Sequence, residues 1–159
     1  MSQSLIVGIS DMKISRAPGI IITYALGSCI GVCFYDAHIQ LGALLHIMLP
    51  EAPQKVDNVF KYADSGIAET LRKMESMGAN RNHITAKIAG GAQMFHVPGD
   101  NALGNIGKRN ADHVKITLLK QRIRMLASDV GGNFARTMEF DVSTGIAKVR
   151  TYGHPDREL

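Results

Sequence analysis

The chain has 159 residues, 45% apolar and 20% charged, which excludes intrinsic disorder and is enough for one core of ordinary size. Eighteen Lys and Arg against fourteen Asp and Glu leave a net charge of +4 with histidine neutral, too little for a dedicated nucleic-acid binder. Two cysteines do not make a disulfide framework, and no Trp with four Tyr and five Phe excludes an aromatic platform for single-stranded bases.

Residues 5–10 are a short apolar, β-branched run and predict a first strand. The opening residues lack the cationic region of a signal peptide. Pro18-Gly19 is turn chemistry leading into the β-prone Ile20-Ile21-Ile22-Thr23. After Gly27-Ser28, residues 29–35 and 40–49 predict a hairpin with Cys29 on one arm and His46 on the other. Its second arm holds the longest apolar run, residues 41–49, about half of what a helix needs to cross a bilayer. Residues 50–60 read as loop. Residues 64–77 predict a helix with a stripe of Ile67, Ala68, Leu71, Met74 and Met77, stopped by Gly78. A strand is expected at 84–89, a Gly/Asn/Pro-rich loop at 97–107, and a second helix at 110–122 with Ala111, Val114, Leu118 and Leu119 buried. A strand at 123–128 and a hairpin of 137–142 with 146–152 follow, and residues 152–159 are expected to be a frayed tail. Strands outnumber helices without alternating with them. One α+β domain over 1–159, with a mixed or antiparallel sheet, is therefore expected.

Three side chains invite chemistry. Cys29 follows a small pair in a break between two β-prone runs, a place for an exposed thiolate nucleophile, although free cysteine is ordinarily a small buried hydrophobe. His46 sits among Leu44, Leu45, Ile47 and Met48, where an imidazole must find a partner or cost roughly 1–3 kcal/mol. It is either a satisfied core histidine or the base paired with Cys29. Thr23 closes the isoleucine run, and its hydroxyl has the chemistry to accept the second imidazole N–H. An imidazolium–thiolate pair predicts a Cys29 thiol below the free value of about 8.5. A zinc site from Cys29, Cys33 and His46 has an allowed spacing but no fourth ligand, so Cys33 reads as packing and no metal is expected. The other histidines lie at turns or element ends (His38, His83, His96), on a helix (His113) or in the tail (His154). The glycine clusters at 90–91, 107 and 131–132 fit neither phosphate-loop fingerprint. They read as close packing around a cleft or, with Lys108 and Arg109, as an anion-binding helix opening.

Taken in order, Thr23-x₃-Gly27-Ser28-Cys29 and Leu45-His46-Ile47-Met48-Leu49-Pro50 resemble the chemoreceptor glutamine deamidases (CheD). The resemblance continues in Lys61-Tyr62-Ala63-Asp64, Ala86-Lys87-Ile88-Ala89-Gly90-Gly91-Ala92-x-Met94-Phe95, Asn105-Ile106-Gly107-x-Arg109-Asn110 and Asp129-x-Gly131-Gly132-x₃-Arg136. It spans about residues 7–150. It implies a compact α/β sandwich with outer helices, like toxin-type glutamine deamidase domains, and a Cys29–His46–Thr23 triad. The implied activity is hydrolysis of glutamine side chains to glutamate on methyl-accepting chemotaxis receptors. The alternative is a non-catalytic role, docking to a CheC-type chemotaxis phosphatase. No cofactor, nucleic acid or membrane insertion is implied, and a cytoplasmic monomer is expected. Positive charge from Lys108, Arg109, Lys115, Lys120, Arg122 and Arg124 would suit an acidic receptor helix or be an ordinary solvated face.

Overall fold

In the computed structural model, residues 3–94 and 105–159 are described. Their strands are β1 (Gln3–Val7), β2 (Asp11–Arg16), β3 (Gly19–Leu26), β4 (Ile30–Asp36), β5 (Leu41–Ile47), β6 (Ile84–Gly90), β7 (Arg124–Val130), β8 (Arg136–Asp141), β9 (Ile146–Arg150) and β10 (Arg157–Glu158). The helices are α1 (Ala63–Ser76) and α2 (Ile106–Lys120). The strands form two five-stranded sheets, ordered β1-β3-β8-β9-β10 and β2-β5-β4-β6-β7. Each is antiparallel except for one parallel pair, β1 with β3 and β6 with β7. The protein is thus α+β with mixed sheets.

The layers follow from alternation along β4 and β5. Val32 and Phe34 of β4 and Leu45 and Ile47 of β5 face the helices, packing with Ile67, Leu71, Met74, Val114 and Leu118. Cys33 and Leu44 point the other way, into a second core with Ile21, Leu26, Met138, Phe140 and Val149 of the first sheet. A strand covered on both faces reads as an unbroken apolar run, and every residue of β5 is buried, His46 among them. At about 25 cal/mol per Å² such an element gains on both faces at once, so a charge anywhere along it is costly.

The sequence expectations hold for most elements, with shifts that have local causes. The helix stripe on α1 is Ile67, Leu71 and Met74 joined by Gly66 and Thr70, while Ala68 and Met77 are exposed. Gly66 lets the helix approach the sheet, since a Cβ there would sit 3.3 Å from Leu45 and Ile47. On α2 Leu119 is 78% exposed, and Asn110 and Thr117 take buried places. That helix begins at Ile106, four residues before its expected start; the rest of the expected 97–107 loop lies largely outside the described residues. β2 escaped the sequence reading because Asp11, Lys13 and Arg16 break its pattern. As an edge strand it buries only Met12. The chain end is not loose throughout. Arg157–Glu158 pairs with β9, and Leu159 exchanges backbone hydrogen bonds with Ala147 at 2.7 and 3.2 Å. No helix among the described residues is long and apolar enough to cross a membrane.

Candidate active site

His46 and Thr23 come from different sheets and meet between them. Thr23, on β3, is fully buried, and its Oγ1 lies 2.7 Å from Nδ1 of His46, on β5. The same hydroxyl donates to the Val7 carbonyl of β1 at 2.8 Å. A threonine has one proton to give. Because it goes to Val7, the imidazole must supply the proton of the Thr23–His46 bond, so Nδ1 carries hydrogen and Nε2 is the bare nitrogen. His46 is 1% exposed, and its Nε2 has no hydrogen-bond partner among the described residues. A buried acceptor left unpaired is costly unless the site uses it.

Cys29 stands immediately before β4. Gly31, two residues on, pairs directly with His46, so the Cys29 turn lies at the His46 end of the sheet, while the thiol makes no hydrogen bond to His46 Nε2. The half-buried Cys29 indeed packs on the core between the sheets, the one Thr23 and His46 adjoin. Cys33, four residues further along the chain, is buried beside Met138, and burial raises its thiol. It also borders a cavity of about 350 Å³ with Tyr35, Lys87 and Phe140, which does not include Cys29, His46 or Thr23.

The expected ion pair is not what the environment favours. Burial pushes the Cys29 thiol up, against a weaker pull from its own backbone N–H. Burial also pushes His46 down to about 4, with Asp11, its cross-strand neighbour on β2, pulling weakly the other way. Both groups therefore rest neutral. The expectation of a depressed thiol is corrected accordingly: a charge on either side chain loses more hydration here than a distant partner returns.

The backbone around Cys29 is held from one side. The Gly27 carbonyl accepts from Ala92 N–H at 2.8 Å, the Cys29 carbonyl from Gly91 N–H at 2.9 Å, and the Ser28 carbonyl from the Asn110 side-chain amide at 2.9 Å. A trans peptide points its N–H opposite its C=O. The Ser28 and Cys29 N–H groups thus face away from this cradle, and the Cys29 N–H lies beside its own thiol. Gly90 fits because its φ is +118° and a Cβ there would fall 2.2 Å from the Cys29 oxygen. Gly107 brings α2 against the Gly91–Ala92 segment that holds this turn, where a Cβ would lie 2.3 Å from the Ala92 oxygen. Arg136, almost fully buried, donates to the Gly90 carbonyl at 3.2 Å and to Asp129 at 3.4 Å. The Lys61-Tyr62-Ala63 segment anchors the chain just past His46: Met48 and Leu49 N–H donate to Lys61, and Ala63 N–H donates to Leu49.

The sequence reading missed Asn110. Its amide donates at 2.9 Å to both Ser28 and Met48, tying the turn before Cys29 to the strand end after His46. A polar residue at a stripe position of α2 was the available signal. Asn110→Ala is expected to cost about 2 kcal/mol of stability, since two carbonyls lose their donor, and to lower kcat at least about tenfold by loosening the Cys29 turn. Urea melts and steady-state kinetics would check both; an unchanged kcat would remove Asn110 from the positioning of Cys29. Of the basic side chains expected near α2, Lys108 is paired with Asp112 at 2.7 Å.

Residues 48–151 match the family described as CheD chemotactic sensory transduction. A Syntrophomonas wolfei protein named "Probable chemoreceptor glutamine deamidase CheD" is 48% identical over 159 residues, 99% of both chains. Proteins of the same name from Desulfitobacterium hafniense and Clostridium botulinum are 44% identical over 160 residues and 45% over 155, covering 100% and 96% of each chain. The family match begins just after His46, whereas a relative matched over the whole chain spans Thr23, Cys29 and His46 as well.

Proposed function

Because the chain belongs to the CheD chemotactic sensory transduction family, we propose that it deamidates glutamine side chains of chemoreceptors, with Cys29 as nucleophile, His46 as base and acid, and Thr23 as the group that orients His46. The relatives' shared name supports the substrate class. The observation that carries the residue roles is the Thr23–His46 bond, which leaves Nε2 as a bare, unpaired base beside the core on which Cys29 packs.

The chemistry starts from the neutral pair. His46 Nε2 takes the Cys29 proton as the sulfur attacks the carboxamide carbon. The oxyanion that forms is within the reach of the Ser28 and Cys29 N–H groups, whose direction the cradle sets. The imidazolium, its Nδ1–H still bonded to Thr23, protonates the departing ammonia. A thioester remains. Water then attacks it, giving its proton to Nε2, and the glutamate carboxylate leaves while the sulfur recovers its proton. No charge need exist before substrate binds, which suits a site where burial opposes both ions.

Incubating a receptor cytoplasmic fragment with the protein should convert particular glutamines to glutamates, read by peptide mass and ammonia release. A fragment unchanged at every glutamine would contradict the assignment. Docking to a CheC-type phosphatase, implied by the resemblance alone, needs surface and not the thiol. A Cys29 variant would therefore keep that role while losing deamidation.

A further inference from the structure

At the end of β4 opposite Cys29, three side chains that the proposed reaction does not use come together. Asp36 closes β4, His38 lies in the turn to β5, and His83 ends the short 3-10 turn Arg81–His83 before β6. The Nδ1 atoms of the two histidines are 2.6 Å apart, and Nδ1 of His83 is 4.0 Å from Asp36 Oδ1. One ligand atom from each of the three lies within 4.8 Å of the others. We propose that Asp36, His38 and His83 form a binding site for a divalent metal ion of the zinc type.

Two facing imidazole nitrogens can share only one proton, and protonating both sets like charges against each other. A dication resolves this by accepting both lone pairs, and the Asp36 carboxylate offsets its charge. Zinc bonds to nitrogen and oxygen of about 2.0–2.1 Å in a tetrahedron put neighbouring ligand atoms about 3.3 Å apart. The separations of 2.6 and 4.0 Å lie on either side of that value. The two rings are exposed, so small rotations bring them to it, leaving the fourth position to water.

The carboxylate is already fixed. Asp36 is 1% exposed and accepts the backbone N–H of His38 at 3.0 Å and of Asn80 at 2.9 Å. One residue thus sets the position of both histidine-bearing segments, and each oxygen keeps a lone pair for a metal. Two imidazoles and a carboxylate suit zinc better than calcium or magnesium, which take oxygen ligands. The bound ion would clip the β4–β5 turn to the entry of β6, about 20 Å along β4 from the thiol.

The test is a Zn²⁺ titration of the full chain carrying Cys29→Ala, which removes the reactive thiol as a competing ligand, against a chromophoric chelator. One equivalent should bind, and His38→Gln or His83→Gln should each weaken it at least about tenfold. Zn²⁺ should also raise the melting temperature of the Cys29→Ala protein, but not once His38→Gln is added. His38 is on an exposed turn, so its variant should keep the parent far-UV spectrum. In the otherwise unaltered chain, His38→Gln should leave deamidation unchanged. Absence of a bound equivalent, or affinity indifferent to both histidine variants, would overturn the proposal.

Discussion

Cys29→Ala is expected to abolish deamidation of a receptor fragment, by about 10⁴-fold or more, with the fold retained. The magnitude follows from removing the only atom that bonds covalently to substrate: such losses are far larger than those from trimming a binding contact. The fold should survive because Cys29 is half-buried at the rim of the inter-sheet core, and deleting one sulfur there costs about 1 kcal/mol. Substrate should still bind, since the cradle of Ala92, Gly91 and Asn110 holds the turn through its carbonyls and does not involve the sulfur. Peptide mass, read in parallel with a urea melt, separates chemistry from stability. Conversion at the unmodified rate by a folded Cys29→Ala protein would eliminate Cys29 as nucleophile.

Thr23→Val should be almost as damaging, by a different route. Valine keeps the volume and the β-branch but removes the oxygen between His46 Nδ1 and the Val7 carbonyl. The imidazole is then free to put its proton on Nε2, which presents N–H to the thiol in place of a base. Losing the orienting group of a comparable triad costs about 10⁴ in kcat, and a fall of about 10²–10⁴ is expected here. Stability should drop by about 2–4 kcal/mol, because two buried polar groups lose their partner. Thr23→Ser keeps the oxygen and should recover most of the rate. A merely structural threonine predicts instead that the activity of Thr23→Val falls only as far as its folded fraction does.

Much of this was legible in the sequence because it rests on local chemistry. The β4–β5 hairpin was marked by two apolar runs joined at Asp36-Ala37-His38, and the α1 and α2 stripes by their period. Thr23, Cys29 and His46 stood out as polar or reactive side chains in β-prone runs. The neutrality of the pair was not legible, because it depends on burial between two sheets whose packing no single segment encodes. Nor were the roles of the glycine blocks. Their reading as close backbone packing agrees with the structure, but which backbone each meets was hidden: Gly90 lies against Cys29, and Gly107 against Gly91 and Ala92. Asn110 and Arg136 were hidden for a similar reason: each acts on a carbonyl far away in the chain. His38 and His83 read as separate turn residues until the sheet placed them side by side.

Burial of neutral His46 also ties stability to pH. The folded value of about 4 lies below the unfolded value of about 6.5. The unfolded chain therefore binds the proton first, and this contribution, about 3 kcal/mol, is whole above pH 6.5 and lost as pH falls towards 4. The most direct check is ¹⁵N NMR of the histidine side chains, following His46 as pH is lowered from 8 towards 4. A neutral ring is expected at pH 7, with the proton on Nδ1 and a pyridine-type Nε2, charging only near pH 4. An imidazolium at pH 7, or a proton resting on Nε2, would contradict it.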